Sequence, residues 1–423
     1  MSAFIKFPTS IWIIIQLVLL IPYQGFSQEP GKRIITLNQA IQQATDSNLS
    51  VRSAGYRVDL QKALKGKAWG IEKTNVDFEY GRFNSYNVDN GFTVSQTFAF
   101  PTVYANQHKL AKATVKQSEL ALNATQSEII NQVKTYWWQL SFYYSKLSLL
   151  NYQDSLYTGF LKAATRRAEI GETNKLEQIS AESQSLEVKN FIQQTNADID
   201  IYISKLRTLL NIKQNFVIAD TVLVKLNLAG ISDSAALLGN PALAMYNQQV
   251  EIARMESKVE KAKALPDLKV GYFSQSIIGN QEVNGELRTF SAADRFTGMQ
   301  AGIAIPLWIF SHSSGIKASK INYHIAQTEA EYAKTALSGE FEGLIQEYNK
   351  YKSSIDYYEK QALPQTELII SQSTKSYKAG AMDYLEYIQS LSRALAIKSN
   401  YLDALNQYNQ SIIALEYIMG KVK

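Results

Sequence analysis

Residues 92–100 read FTVSQTFAF, a stretch in which apolar residues alternate with small or polar ones. Phe92, Val94, Phe98 and Phe100 form the apolar side of the alternation. A period of two predicts a β-strand with one apolar face, and about ten residues suffice for a tilted strand to cross a bilayer. The same pattern recurs at residues 75–80, 268–272 and 299–305, more loosely in the second of these.

The connections between these segments fit two membrane-spanning hairpins. Residues 84–90 and 279–295 are polar loops, and aromatic residues cluster near the segment ends, as they do in interfacial girdles. One such segment alone would fit a buried strand of a soluble sheet, so the prediction rests on the set of four. Four strands cannot close a barrel, and open strand edges are not tolerated in lipid. Several copies of the chain would therefore have to pool their strands.

Long helices are predicted between the strand pairs. The 423 residues include only 21 Gly and 8 Pro, so few turns are available. Apolar residues recur at spacings of three and four over 130–147 and 388–412, which favours coiled-coil-like packing. A helix of about 65 residues would be roughly 100 Å long. Such helices must pack against one another or against other copies of the chain.

The first 27 residues predict a secretory signal peptide. Lys6 precedes an apolar run at residues 11–21, Pro22 ends the run, and small residues precede Gln28. The run is about half of the ~20 residues that a membrane helix needs; an uncleaved anchor is the alternative. The chain has no cysteine to be lipidated at the cleavage site. We therefore expect an exported, unlipidated protein whose membrane crossing uses β-strands.

The chain repeats its own organisation, which indicates a duplicated unit of about 200 residues. An aromatic or apolar residue precedes Pro at both 100–101 and 305–306, and Leu-Glu follows Gly171 and Gly380 at the same spacing. The predicted units are the signal peptide at 1–27, a first repeat at 28–230 with a hairpin at about 74–101 and helices at about 102–170 and 172–211, and a second repeat at 231–423 with a hairpin at about 267–306 and helices at about 311–378 and 381–419.

Few residues are available for enzyme chemistry. The absence of cysteine excludes thiol catalysis and Cys-ligated metals. His312 and His324 lie twelve residues apart, which favours surface histidines over a metal pair. Asp383 and Glu386 are three apart, as a carboxylate pair would be, but a solvated helix face is the commoner cause. The net charge of +5 is too small to indicate nucleic acid. We expect no enzyme, cofactor or metal site.

The order of these motifs resembles the TolC-like outer-membrane efflux proteins (outer membrane factors). The resemblance covers about residues 34–420. Its motifs are an opening helix at 37–41 that leads to Asn48, the entry into a strand at 264–268, Ile-Pro-Leu at 305–307, and the two glycine tips with their following Leu-Glu. The first half departs from the family pattern because Thr74, and not proline, precedes its first strand.

The resemblance implies a fold that is mainly α with a transmembrane β-barrel. Each chain of a homotrimer would give four strands to a shared 12-stranded barrel and its helices to a periplasmic α-helical barrel. It implies a passive exit duct of a tripartite efflux or type I secretion system, located in a Gram-negative outer membrane. The partners would be a periplasmic adaptor and an inner-membrane pump of the resistance–nodulation–division or ABC type. The cargo could be a metal, a drug, a bile salt or a polypeptide.

The resemblance also implies a gate at the periplasmic helix tips. The acidic constriction of the family maps to Glu386, and its first-half equivalent is Glu177. A second acidic position holds Gln389, and the family's basic residue is replaced by Met382. Tyr377 matches a hydrogen-bonding latch, and Asp383 is a further gate candidate. The expected adaptor-docking residues are Gly171, Gly380, Ile170, Ala379 and Ala381.

Two other functions fit parts of the sequence. A periplasmic or surface coiled-coil protein, such as an adhesin stalk, would explain the long helices but not the four alternating segments. An exported hydrolase would need a nucleophile or metal pocket.

At the tips, glycine suits a helix reversal that needs a positive φ. We therefore expect Gly380→Val to impair adaptor-dependent export while trimers still form, and normal export by this variant would contradict the docking role.

Overall fold

The structure, a computed structural model, describes residues 33–172, 175–228, 237 and 239–421. The predicted signal peptide and the predicted boundary between the repeats at 230–231 lie outside these residues. In the described part of the chain, no helix is long and apolar enough to cross a membrane.

The described elements fall into two similar series. The first comprises β1 (Arg33–Ile35), α1 (Leu37–Ser47), α2 (Leu49–Leu64), a 3-10 segment (Lys65–Trp69), β2 (Asn75–Gly81), β3 (Asp89–Phe98), α3 (Pro101–Glu169), α4 (Lys175–Leu210) and β4 (Phe216–Ile218). The second comprises α5 (Pro241–Lys263), β5 (Asp267–Gln275), β6 (Gly279–Val283), β7 (Glu286–Phe290), β8 (Phe296–Ala304), α6 (Ile309–Tyr357), a π-helical turn (Tyr358–Ala362), α7 (Leu363–Lys378) and α8 (Tyr384–Ile418).

The four long strands form one antiparallel sheet in the order β2-β3-β5-β8. Val76 pairs with Val94, Val94 with Tyr272, and Tyr272 with Met299, so an apolar row crosses the whole sheet. This face is solvent-exposed in the isolated chain: Phe78 is 81% exposed and Met299 is 90% exposed. A sheet with one bare apolar face and two unpaired edges is incomplete in a single chain.

The connection between β5 and β8 contains a short hairpin, where the sequence indicated only a polar loop. Strands β6 and β7 pair around Asn284-Gly285. Both turn residues have positive φ, 58° and 86°, which is the geometry that Asn-Gly allows in a tight hairpin. The long loop thus pairs much of its own backbone.

Helix α3 runs for 69 residues and is the longest element. Its core contacts are in its middle, where Val133, Trp137 and Leu140 are fully buried. The indole N–H of Trp137 donates to Asp220 Oδ2 at 2.9 Å. This bond attaches the segment that follows β4, which contains Asp220, to helix α3. The small parallel pair β1–β4 supplies Ile35, Phe216 and Ile218 to the same core.

The predicted helix at about 311–378 is not broken at Pro364. Helix α6 continues into α7 through the π-helical turn at Tyr358–Ala362. Proline has no backbone N–H and its ring clashes with the carbonyl four residues earlier. A π-turn just before Pro364 widens the helix at this point, so the helical path continues past the proline.

The two halves share a hydrogen-bond pattern that is centred on one asparagine each. Asn48 caps α2 by accepting from Ser50 N and Val51 N, and its amide donates to Leu209 O at 2.9 Å. Asn240 caps α5 through Ala242 N and Leu243 N, and donates to Ile418 O at 2.8 Å. In each half, one asparagine therefore joins the start of an early helix to the end of the last helix.

Candidate gate at the helix tips

The two helical hairpins reverse direction at Gly171 and Gly380. Their φ values are 78° and 71°. Gly171 N bonds Ala168 O and Glu172 N bonds Arg167 O; Gly380 N bonds Tyr377 O and Ala381 N bonds Ser376 O. These are the paired bonds of a Schellman motif, which requires a left-handed residue at the glycine position. The local sequence thus explains why both tips turn at glycine.

Asp383, Glu386 and Gln389 lie in the segment that starts α8. Asp383 is the N-cap of α8, and its Oδ1 accepts from Glu386 N at 2.8 Å. The Asp383 carboxylate therefore stabilises the start of α8, because it accepts a hydrogen bond from an N–H of the first turn that has no partner within the helix. The side chains of Glu386 and Gln389 are exposed and lie one helical turn apart. Asp383 is exposed too, but its carboxylate is engaged in the cap, so Glu386 is the exposed carboxylate that has no part in the cap.

The first tip presents its carboxylate differently. Glu177 Oε1 lies 3.3 Å from Arg167 Nη1, and only 13% of the Glu177 side chain is exposed. Arg167 also approaches Glu172, with Nε 3.9 Å from Oε2. In the described structure, Glu177 therefore joins α4 to α3 by an ion pair, whereas its second-half equivalent Glu386 is exposed.

A cluster of three rings joins the two hairpins just above the tips. The Tyr377 and Tyr387 rings stack at 4.6 Å with an interplanar angle of 9°, and Phe160 packs edge-on against both, at 6.3 and 5.0 Å. The Tyr387 hydroxyl bonds Thr374 Oγ1 at 3.1 Å. We call Phe160, Tyr377 and Tyr387 the tip aromatic cluster. The resemblance implies a hydrogen-bonding role for Tyr377, whereas in the structure its ring stacks on that of Tyr387.

Phe160 and Tyr387 were not selected from the sequence. The sequence gives little indication of a role for them at the tips, because an aromatic residue on a long amphipathic helix is ordinarily a packing residue. The contacts of Phe160 with α7 and α8 exist only once α3 lies beside the second hairpin. The 10-residue separation between Tyr377 and Tyr387 spans the tip turn, so only a closed turn brings the two rings together.

The hydroxyl of Tyr384 lies beside this cluster. Burial, together with the nearby carboxylate of Glu177, raises the pKa of Tyr384 to about 12. Within the described residues this hydroxyl has no hydrogen-bond partner. Tyr384 therefore stays neutral throughout the physiological pH range, and it brings a residue of α8 close to the carboxylate of α4.

The extreme tips expose apolar side chains. Ile170, Leu176 and Leu385 are 63%, 68% and 65% exposed, and Ala379 and Ala381 are also exposed. Leu176 and Leu385 belong to the Leu-Glu motifs that follow the tip glycines, but only their neighbouring carboxylates were selected from the sequence. In the described part of the chain, no group of His, Asp and Glu could hold a metal ion.

Comparisons with known proteins agree with this architecture. The family model described as outer membrane efflux protein matches residues 234–421. A search of curated protein sequences finds no match. Among solved structures, the chain resembles the channel CusC at 15% identity, with a TM-score of 0.74 over 91% of this chain and 92% of CusC.

Two further outer-membrane protein structures resemble the chain equally well. CmeC of Campylobacter jejuni is 15% identical, with a TM-score of 0.73 over 91% of this chain and 85% of CmeC. VceC of Vibrio cholerae is 14% identical, with a TM-score of 0.73 over 91% of this chain and 96% of VceC. The family model agrees with the predicted resemblance over residues 234–421, and the solved structures confirm the predicted fold. Residues 234–421 thus match the outer membrane efflux protein family model, and the chain has the fold of outer-membrane channels such as CmeC.

Proposed function

We propose that three copies of this chain form a passive exit duct across the outer membrane. The observation that carries the proposal is the four-stranded sheet, which has an exposed apolar face and free edges on β2 and β8. In lipid every backbone group must be paired within the protein. Pairing β8 of one copy with β2 of the next satisfies both edges, and three copies give a closed barrel of 12 strands.

The opposite face of the sheet suits a water-filled interior. Asp77, Thr93, Lys269 and Gln300 lie on this face and alternate with the apolar positions along their strands. Such an alternation, apolar outside and polar inside, is that of an outer-membrane barrel. The helices that leave the strands would continue the wall of the duct into the periplasm as an α-helical barrel.

The gate of the duct lies at the converging tips. One exposed Glu386 from each copy gives a ring of three carboxylates, which favours cations and resists anions. The tip aromatic cluster holds the second hairpin against α3 and thereby keeps the tips together. Opening requires these ring contacts to part. Gln389, Tyr384 and the Arg167–Glu177 pair surround this constriction.

The exposed apolar tips suit a periplasmic adaptor. Ile170, Leu176 and Leu385 present bare aliphatic side chains beside the small residues of the turns, and such a patch favours a protein partner. The adaptor would connect the duct to an inner-membrane pump, which supplies the energy. A coiled-coil stalk would have no use for an exposed apolar sheet, so the channel is the better supported function.

Engineered cross-links test the proposed closure. Because the chain has no cysteine, single residues of β2 and β8 can be replaced by Cys in pairs, for example Val76 or Phe78 with Met299 or Ala301. We expect disulfide-linked trimers from at least one pair, and ion conductance by the purified protein in planar bilayers. Matched pairs on the inner strands β3 and β5, which are neighbours within one chain, should cross-link only within the chain. Detergent-free monomers without conductance would refute the proposal.

A further inference from the structure

The groove between α3 and α5 concentrates positive charge. Five basic side chains and one carboxylate, Glu251, line about 450 Å³ of it. The groove therefore carries a formal charge of +4, against +5 for the whole chain. We call it the basic groove; its cations are Lys109, Lys112 and Lys116 of α3 and Arg254 and Lys258 of α5.

Its single carboxylate is already engaged. Arg254 Nε and Nη2 both lie 2.7 Å from the Glu251 carboxylate oxygens, and this hydrogen bonding lowers the pKa of Glu251. Lys116 Nζ lies 4.0 Å from Glu119 Oε2, whereas Lys109 and Lys112 are exposed and form no ion pair with any described residue. Like charges three and four residues apart on one helix face destabilise the helix. An external anion would relieve this repulsion.

The position of the basic groove is just beyond the membrane-spanning strands. Helix α3 begins at Pro101, so Lys109 lies about 12 Å from its start at 1.5 Å per residue. Lys258 lies at a similar distance before β5. Lysine side chains extend toward a membrane interface along their aliphatic stems, so both ammonium groups can reach the headgroup layer.

A tryptophan places this helix face at the membrane interface. The indole N–H of Trp69 donates to His108 Nδ1 at 3.2 Å, and the Trp69 ring is 59% exposed. Exposed tryptophan next to a spanning segment is typical of the interfacial belt. His108 and Lys112 are one helical turn apart and share a face of α3. Trp69 and the basic groove therefore border the same face of α3.

We propose that the basic groove binds the headgroup of an anionic phospholipid in the periplasmic leaflet of the outer membrane. The proposal rests on the membrane orientation proposed above. Clusters of four to eight Lys and Arg beside a membrane-spanning segment recognise anionic lipid headgroups. The lipid phosphates would lie between α3 and α5, two helices of one copy, so each protomer would hold its own site.

The lipid retained by the wild type, a groove variant and a control variant tests this site. The full processed chain is purified in detergent, and native mass spectrometry counts cardiolipin and phosphatidylethanolamine molecules retained per trimer. The groove variant is Lys109→Gln/Lys112→Gln/Lys258→Gln. The control is Lys162→Gln/Lys189→Gln/Lys334→Gln, which removes the same charge from exposed lysines. We expect cardiolipin retention at least tenfold lower in the groove variant only, since each basic residue contributes about fivefold.

Other outcomes overturn the proposal. Equal cardiolipin retention by all three proteins, or no preference for cardiolipin over phosphatidylethanolamine in the wild type, excludes the lipid site. Loss of purified peptidoglycan binding by the groove variant with unchanged lipid retention would assign the groove to an acidic wall polymer instead. Conductance of the same samples in planar bilayers separates the two proposals, because a conducting wild type without lipid preference refutes only the lipid site. A wild type that conducts in no bilayer refutes both.

Discussion

Asn240 performs two tasks at the start of α5. Its side-chain oxygen accepts from Ala242 N and Leu243 N, while its amide donates to Ile418 O. We expect Asn240→Ala to lower the free energy of unfolding by about 2–3 kcal/mol, because the helix loses its cap and a buried carbonyl loses its donor. Chemical denaturation of the purified protein measures this loss.

Asn240→Ser is the matched control for this prediction. Serine can cap the helix, but its side chain is too short to reach Ile418 O. The control should recover about half of the lost stability. Equal losses for the serine and alanine variants would show that the cap contributes little. Asn48→Ala should cost a similar amount, because Asn48 makes the equivalent bonds in the first half.

At Gly380 the constraint on the residue type comes from the backbone conformation and not from neighbouring atoms. Its φ is 71°, and a Cβ built there meets no atom within 4 Å. Gly380→Ala should therefore cost about 1–2 kcal/mol through backbone strain alone. Gly343→Ala, in the interior of α6, also meets open space and should gain about 0.5–1 kcal/mol. Thermal unfolding compares the two, and a shift of the same sign in both would contradict the strain argument.

The tip aromatic cluster acts at the scale of helical elements, since it joins α3, α7 and α8. Aromatic pairs contribute about 0.5–1.5 kcal/mol each beyond their buried area, and Tyr387 takes part in two of the three ring contacts. We expect Tyr387→Leu to loosen the second hairpin and raise single-channel conductance in planar bilayers. The increase follows because the closed position loses its main contacts.

Tyr387→Phe separates stacking from hydrogen bonding. Phenylalanine keeps the ring contacts and removes only the 3.1 Å bond to Thr374. Its conductance should stay near that of the wild type. A conductance of Tyr387→Phe equal to that of Tyr387→Leu would assign the closing interaction to the hydroxyl, as the resemblance implied for Tyr377, and not to the rings.

The helical elements also show where a local pattern misleads. A proline inside a helix ordinarily interrupts it, yet α6 continues into α7 past Pro364 because a π-helical turn precedes the proline. The polar run at 279–295 predicted a loop, yet Asn284-Gly285 closes a hairpin inside it. In both places a local feature accounts for the structure: the π-helical turn accommodates Pro364, and Asn-Gly adopts the positive φ values of a tight turn.

At the scale of the whole molecule, the two faces of the sheet should differ in tolerance to charge. Met299 lies on the apolar face and is 90% exposed, and Gln300 follows it on the opposite face. We expect Met299→Lys to cost about 2–4 kcal/mol in lipid and to prevent stable trimers in the outer membrane. Gln300→Lys, one residue away, should assemble normally because its side chain would face water.

Gel mobility of unheated samples and outer-membrane fractionation measure this difference. The pair of variants has the same charge, the same strand and nearly the same depth, so only the face differs. Equal assembly of both proteins would mean that the apolar face does not contact lipid. The proposed membrane-spanning barrel would then be wrong.

Local sequence patterns suffice to predict the four strands of the sheet, the long helices, the duplicated order of elements and the tip glycines. These follow from local periodicity and from backbone limits, which depend on residues close together in the chain. Which residues meet at the tips depends instead on how the helices pack. The tertiary structure placed Glu177 against Arg167, gave Asp383 a capping task, and stacked Tyr377 on Tyr387. Phe160 and the basic groove also emerged only there, because contacts between distant helices depend on how those helices pack and leave no periodic pattern in the sequence.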